Sequence, residues 1–296
     1  MAVRQNARYL VTGARGMLGS DLAEALFGRD VTLLSRADLD VTDRDAVFDA
    51  VRGHDVVVNA AAYTAVDAAE TDEDTARAVN GTAVGLLAEA TAAHGAKLVT
   101  ISTDYVFAGD ATEPYAEDAS LAPLGAYGRT KALGERLARE GNPDGSYVVR
   151  TAWLYGRHGA NFPKTMLKLA ADRDTLSVVA DQVGQPTWTL DLAHQIVALL
   201  DSDAPAGTYH GTNEGSVSWF EFARAVFEES GLDAARVEPT DSSTFVRPAP
   251  RPSYSVLGHD AWRRAGLTPM RPWRQALSEA ANTGVLHNDD NASSGR

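Results

Sequence analysis

Residues 8–22 read RYLVTGARGMLGSDL. RYLVT is a short apolar run, and Gly13, Gly16 and Gly19 follow it as GxxGxxG. An apolar, alanine-containing helix is predicted to begin at Met17, over Met17–Gly28. Glycines at this spacing let the chain turn tightly and bring backbone N–H groups against a pyrophosphate, and the N-terminus of the next helix adds its positive dipole. A glycine turn is weak evidence alone. Placed between the first strand and the first helix, it predicts an α/β nucleotide-binding fold.

Outward from this turn the chain alternates. VTLLS, DVVVNAAA, AKLVTIS and SYVVRTAWLYG read as further buried strands, separated by helices expected over Asp43–Arg52, Asp74–His94 and Tyr127–Glu140. Continuous apolar strands between helices imply a doubly wound parallel sheet covered on both faces. After Thr151 the alternation loosens. Helices are expected over Asn161–Ala171, Leu190–Leu200 and Ser218–Ser230, and strands near Leu176–Ala180 and Gly207–His210. FVRPAPRPS reads as a loop. Residues 1–150 are thus expected to form mainly the nucleotide-binding domain. Residues 151–285 are expected to form a smaller, interleaved C-terminal substrate lobe, and 286–296 a polar tail without fixed structure.

Composition narrows the function. The chain has 296 residues, a net charge of −13 and no cysteine. The charge disfavours a broad grip on nucleic acid or anionic membrane. The missing cysteines exclude disulfides, thiol nucleophiles and zinc–thiolate sites. The histidines show no metal-ligand spacing, so no metal is expected. The N-terminus lacks a signal-peptide core, and no run reaches the ~20 apolar residues of a membrane span, so a cytoplasmic location is expected.

The end of the second strand reads the adenosine ribose. An acid there favours NAD, and a basic residue accommodates the 2′-phosphate of NADP. This chain carries Ser35 and Arg36, with Arg15 inside the glycine turn. The expected cofactor is NADPH, with NADH as the alternative. Asp40 and Val41 are placed to contact adenine.

STDYVFAG, residues 102–109, stands at a strand end, where α/β proteins keep their chemistry. Further on, Tyr127 and Lys131 form YxxxK. On a helix, i and i+4 share a face, so the ammonium is expected to lower the phenol's pKa and make it a proton donor. Thr103 supplies a third hydroxyl. Asp104 is read as a hydrogen-bond acceptor for a sugar or as a turn cap.

The glycine turn, NAAAYTAVDAAE (Asn59–Glu70), STDYVFAG, YGRTKALGE, RTAWLYG, NFPKTMLKLA, DQVGQPT and RPSYSVL together resemble the dTDP-4-dehydrorhamnose reductase family. This is a branch of the extended short-chain dehydrogenases/reductases with a Rossmann-type fold. The resemblance runs from Arg8 to about Leu277. It implies NADPH-dependent reduction of the C4 ketone of a dTDP-4-keto-6-deoxy sugar. Tyr127 matches the proton donor, Lys131 its partner and ribose ligand, and Thr103 the hydroxyl on the reacting oxygen. Gly13, Gly16, Met17, Leu18 and Gly19 match the pyrophosphate turn. Ala61, Ala62, Tyr63 and Thr64 match the segment lining the cofactor. Asp104, Trp153, Asn161 and Arg251 are read as sugar-nucleotide contacts beside Thr103.

Related 4,6-dehydratases carry Thr-Asp-Glu where this chain has Thr103, Asp104 and Tyr105, so the elimination base is missing. Two other readings stand beside the rhamnose one: a 4-ketoreductase for another dTDP-deoxysugar in antibiotic biosynthesis, and a non-catalytic NADP-binding subunit of the methionine adenosyltransferase regulatory type. The complete Thr103, Tyr127 and Lys131 set argues against the last. No acidic set for a metal-bridged dimer is found, and a monomer or a plain homodimer is expected.

Overall fold

A computed structural model describes residues 6–286. The strands are β1 (Arg8–Thr12), β2 (Asp30–Leu34), β3 (Val56–Asn59), β4 (Lys97–Thr103), β5 (Ser146–Thr151), β6 (Leu154–Tyr155), β7 (Leu176–Val179), β8 (Val183–Gly184), β9 (Thr187–Trp188), β10 (Gly207–His210), β11 (Val217–Ser218) and β12 (Val237–Thr240). The α-helices are α1 (Met17–Ala25), α2 (Arg44–Val51), α3 (Val66–Ala69), α4 (Glu73–Arg77), α5 (Ala83–His94), α6 (Ala126–Gly141), α7 (Phe162–Asp172), α8 (Thr189–Asp201), α9 (Trp219–Glu229), α10 (Asp260–Arg264) and α11 (Trp273–Asn282).

Six strands form one parallel sheet in the order β2-β1-β3-β4-β5-β10. Side chains alternate faces along a strand, and the two cores follow that period. Tyr9, Val11, Val56, Val58, Tyr147 and Val149 face one side, where they pack with Leu22 of α1 and Leu192, Ile196 and Leu199 of α8. Leu10, Val57, Leu98 and Val148 face the other, against Val47 and Val51 of α2 and Val84 and Leu87 of α5. Each fully buried Val or Leu contributes about 1.5–3 kcal/mol. The parallel, doubly covered sheet is as expected.

Three details differ from the sequence expectation. VTLLS was expected to be buried, but β2 is the sheet edge and Leu33 is exposed. The segment expected as one helix over 74–94 is interrupted by a π turn, Ala78–Thr82. Helices α10 and α11 had no counterpart in the sequence reading. Among the described residues no helix is long and apolar enough to cross a membrane.

The second half divides its work. β10 and α8 complete the central sheet and its cover. The β7–β12, β8–β11 and β6–β9 pairs combine with α7, α9 and α11 around two smaller cores. Leu286 is buried in one of these cores, so ordered packing extends one residue into the segment expected as a tail. Positions 287–296 of that segment lie outside the described residues.

Candidate active site

A cleft of about 970 Å³ opens at the ends of β1 and β3, the point where the strand order reverses. Gly13, Arg15, Gly16, Ser35, Arg36, Asp40, Val41, Ala61, Ala62, Tyr63 and Thr64 line it, eleven of the residues expected to hold the cofactor. Gly13 has φ +69, and a Cβ there would lie 2.6 Å from the Ala61 nitrogen. A Cβ on Gly19 would lie 2.2 Å from the Gly13 carbonyl oxygen. These two glycines let the turn close on itself and leave the cleft floor as bare backbone. No side chain caps α1, so its first-turn amides, Met17 to Gly19, have no partner within the helix. The Leu18 side chain is buried in the core, which leaves only its backbone for a ligand. A floor of bare backbone and uncapped amides fits a pyrophosphate.

The adenosine end has a built hydrogen-bond frame. Asp38 accepts from the Ser35 backbone N–H at 2.9 Å and from its hydroxyl at 2.5 Å. Asp40 accepts from the Thr42 backbone and hydroxyl at 2.9 and 2.7 Å. These bonds hold both carboxyls below the usual carboxylate range. Arg15 and Arg36 are exposed. Neither makes an ion pair among the described residues, and both stand at the cleft wall. That arrangement fits a 2′-phosphate.

The Tyr63 wall is fixed from a distance. Asn80 accepts from the Tyr63 backbone N–H at 2.9 Å through Oδ1 and donates to the Tyr63 carbonyl at 3.0 Å through Nδ2. It sits in the π turn, a feature that is frequent at functional sites. A Cβ on Gly134 would lie 2.2 Å from the Asn80 carbonyl, so glycine lets α6 approach this turn. Tyr63 and Tyr127 pack on one small apolar cluster, which joins the cleft to the start of α6. Asn80 was missed from sequence. Its only local signal is an Asn-Gly pair inside a helical stretch.

At the end of β4 the Thr103 hydroxyl donates to Asp104 Oδ1 at 2.9 Å and accepts from the Tyr105 N–H at 3.2 Å. Thr103, rather than Asp104, therefore caps the turn. Asp104 is buried, and its Oδ2 has no partner among the described residues. Burial raises this carboxyl to about 6 against the pull of its hydrogen bonds. The Tyr127 phenol lies beside both residues. Burial first, then the negative Asp104, raises it to about 12, and hydrogen bonding with Thr103 only partly offsets this.

This corrects the expectation that Lys131 lowers the Tyr127 pKa. The Lys131 ammonium donates to the Ile101 carbonyl at 2.5 Å, and burial brings it down to about 8. The Ile101 carbonyl, not the phenol, accepts its hydrogen bond. Raised to about 12, Tyr127 is held as the neutral, proton-bearing phenol at neutral pH.

A buried framework supports these groups. Glu70 accepts from the Ala126 N–H at 2.8 Å and closes the start of α6. Glu135 accepts from Ser102 at 2.6 Å and from Arg150 in a two-pronged ion pair at 2.8 and 2.8 Å. Arg150 also donates to the Glu117 carbonyl at 3.0 Å.

The expected sugar-nucleotide residues divide. Thr103 and Asp104 stand with Tyr127. Trp153 follows β5 and is half-buried. Asn161 is used structurally: its Oδ1 accepts from the Lys164 N–H at 3.2 Å as the cap of α7, and its Nδ2 donates to the Gly156 carbonyl. Arg251 donates to Asp67 at 2.9 Å and lies over the Tyr105 ring, so its charge is already paired.

A family model described as the RmlD substrate binding domain matches residues 7–285. The chain belongs to that family. A dTDP-4-dehydrorhamnose reductase of Streptomyces griseus is 52% identical over 281 residues, covering 92% of each chain. A dTDP-4-keto-6-deoxy-D-glucose reductase of Streptomyces niveus is 49% identical, over 92% of this chain and 96% of the relative. A solved dTDP-4-dehydrorhamnose reductase of Bacillus anthracis, in complex with NADP, superimposes with a TM-score of 0.91 at 39% identity, covering 94% of this chain and 100% of that one. The resemblance drawn from the motifs and the fold expected from the strand pattern both stand.

Proposed function

We propose that the protein reduces the C4 ketone of a dTDP-4-keto-6-deoxy sugar with NADPH, giving dTDP-L-rhamnose in the cytoplasm. The observation that supports this is the meeting of Thr103, Asp104 and a proton-bearing Tyr127, which packs with Tyr63 of a cleft that has a backbone floor and two arginines without an ion pair among the described residues. Gly13, Gly16 and the Met17–Gly19 amides would hold the pyrophosphate, Arg15 and Arg36 the 2′-phosphate, and Lys131 the nicotinamide ribose. NADPH bound there supplies the hydride. The chain does the rest. The Thr103 hydroxyl turns its one proton from Asp104 to the carbonyl oxygen, where charge develops. Tyr127 gives that oxygen its proton, and Asp104 Oδ2 accepts from a sugar hydroxyl. The lobe of α7, α9 and α11 closes the sugar-nucleotide side. The smallest active unit is a monomer or homodimer.

The names of the relatives support the dTDP-sugar class. The 49% identical deoxyglucose reductase favours a second reading, in which the same chemistry acts on another dTDP-deoxysugar. NADPH oxidation followed at 340 nm over a panel of dTDP-4-keto-6-deoxy sugars, with the product stereochemistry determined, tests both. No turnover with any of them would overturn the reductase reading. A product epimeric to L-rhamnose would select the second.

A further inference from the structure

Trp153 is the one non-glycine residue with positive φ among the described residues, at +46. A bulky side chain in that region costs about 1–3 kcal/mol and persists only where its surroundings enforce it. Two features do so here. The Trp219 ring stacks on the Trp153 indole, with centroids 3.5 Å apart and planes 11° from parallel. Gly184 lies against the indole's Nε1, Cε2 and Cζ2. A Cβ on Gly184 would stand 2.5–2.8 Å from those three atoms, and they are its nearest neighbours.

The two walls are built together. Gly184 ends β8 and pairs with Val217 of β11. The next residue, Ser218, caps α9 through a reciprocal bond with Glu221, and Trp219 is the first residue of that helix. The Thr187 N–H donates to the Trp153 carbonyl at 3.2 Å, which ties the strained residue to the next strand. Phe162 also packs on Trp219, with centroids 4.5 Å apart. A structural tryptophan in a core has no need of a strained backbone. Trp153 is instead half-buried, between the end of β5 and the lobe.

We infer that Gly184 and Trp219 are positioning residues that form a slot for the Trp153 indole and so set the ring against which the sugar nucleotide binds. This rests on the reading of Trp153 as a sugar-nucleotide contact. Gly184 is the clean probe. It needs no positive φ, and the three atoms nearest to an added methyl all belong to the indole. The methyl must displace the ring, and small misplacements of positioning groups are costly.

The test measures kcat and KM for a dTDP-4-keto-6-deoxyhexose, NADPH affinity by fluorescence titration, and the melting temperature. Gly184→Ala and Trp219→Leu should each raise KM about tenfold, with NADPH affinity unchanged. Trp219→Phe should restore most of the loss, because it keeps a stacking ring. In a Trp153→Leu background, Gly184→Ala should add nothing further, since its target is gone. If Trp153→Leu raises KM while Gly184→Ala leaves it alone, the slot is wrong and the Trp153 reading stands. If Trp153→Leu leaves KM unchanged, both fall. Equal losses from Gly184→Ala in the two backgrounds would also overturn the slot. Should Trp219→Leu not fold, Gly184→Ala decides by itself.

Discussion

The Lys131 ammonium donates to the Ile101 carbonyl, one helical turn beyond the Tyr127 phenol. The lysine is thereby anchored to β4, and burial holds it at about 8. Its depressed pKa means that the positive charge is present below about 8 and lost above. With Tyr127 near 12, the phenol keeps its proton through that range. The rate of ketone reduction should therefore fall as pH rises through about 8, and the fall should be absent from the residual activity of Lys131→Met. A kcat profile between pH 6 and 10 measures this. An unchanged alkaline limb in Lys131→Met would assign it to another group.

Tyr127→Phe keeps the ring and removes the proton. Turnover should drop by about 10²–10⁴, the usual contribution of a general acid, while NADPH affinity changes little. Single-turnover kinetics with NADPH titration separate the two. Near-normal chemistry in this variant would require a different proton source.

Burial raises the Asp104 carboxyl from the ordinary range for an aspartate to about 6. The native state therefore holds that proton more tightly than the unfolded chain, and stability is lost as pH rises from about 4 to 6. Asp104→Asn removes this cost. It should be more stable than the parent by about 1–3 kcal/mol at pH 7, with the advantage fading between pH 6 and 4. Activity should fall, because the unpartnered Oδ2 is lost as an acceptor. Urea unfolding at pH 4 and pH 7 checks the sign, and a variant less stable at pH 7 contradicts it.

Arg36 lines the cleft and makes no ion pair among the described residues. Arg36→Ala should raise the KM for NADPH by roughly 10- to 100-fold, since a charge-assisted hydrogen bond contributes about 1.5–3 kcal/mol. The KM for NADH should move little. Equal losses for both cofactors would show that Arg36 acts on a part the two cofactors share.

What was legible in the sequence was local. The Gly13–Gly19 turn, the YxxxK pair and the Ser35–Arg36 strand end each declare themselves within a few residues: Gly13, Gly16, Ser35 and Arg36 line one cleft, and Tyr127 and Lys131 share α6. What was hidden depends on partners far apart in the chain. Asn80 grips Tyr63 across 17 residues, Glu70 caps α6 across 56, and Lys131 turns to Ile101 across 30. Spacing on one helix placed Lys131 on the Tyr127 face, but it carried no information about a competing carbonyl on β4. The motif-based reading of Asn161 as a ligand likewise missed its use as a helix cap.

The deepest of these long-range contacts makes the last prediction. Glu135 on α6 and Arg150 on β5 are 1% and 2% exposed and pair at 2.8 Å. Ser102, next to Thr103, donates to the same carboxylate. The pair thus ties together α6, which carries Tyr127 and Lys131, and the strand ends that carry Thr103 and Trp153. Removing Glu135 leaves the buried Arg150 without its counter-charge, which costs about 3–5 kcal/mol; removing Arg150 leaves Glu135 only the longer contact to half-exposed Arg139 at 3.4 Å. Glu135→Leu and Arg150→Met should each destabilise by that order. The double variant should lose much less than the sum, because neither charge is then left unpaired. Urea unfolding of the four proteins gives the coupling. Activity should follow a different pattern: the double variant should remain slow even where its stability recovers, because apolar packing replaces the charge but not the hydrogen bond that fixes Ser102 beside Thr103. Simple additivity of the two single losses would mean that the pair does not act as a unit, and that the site is held in register by other contacts.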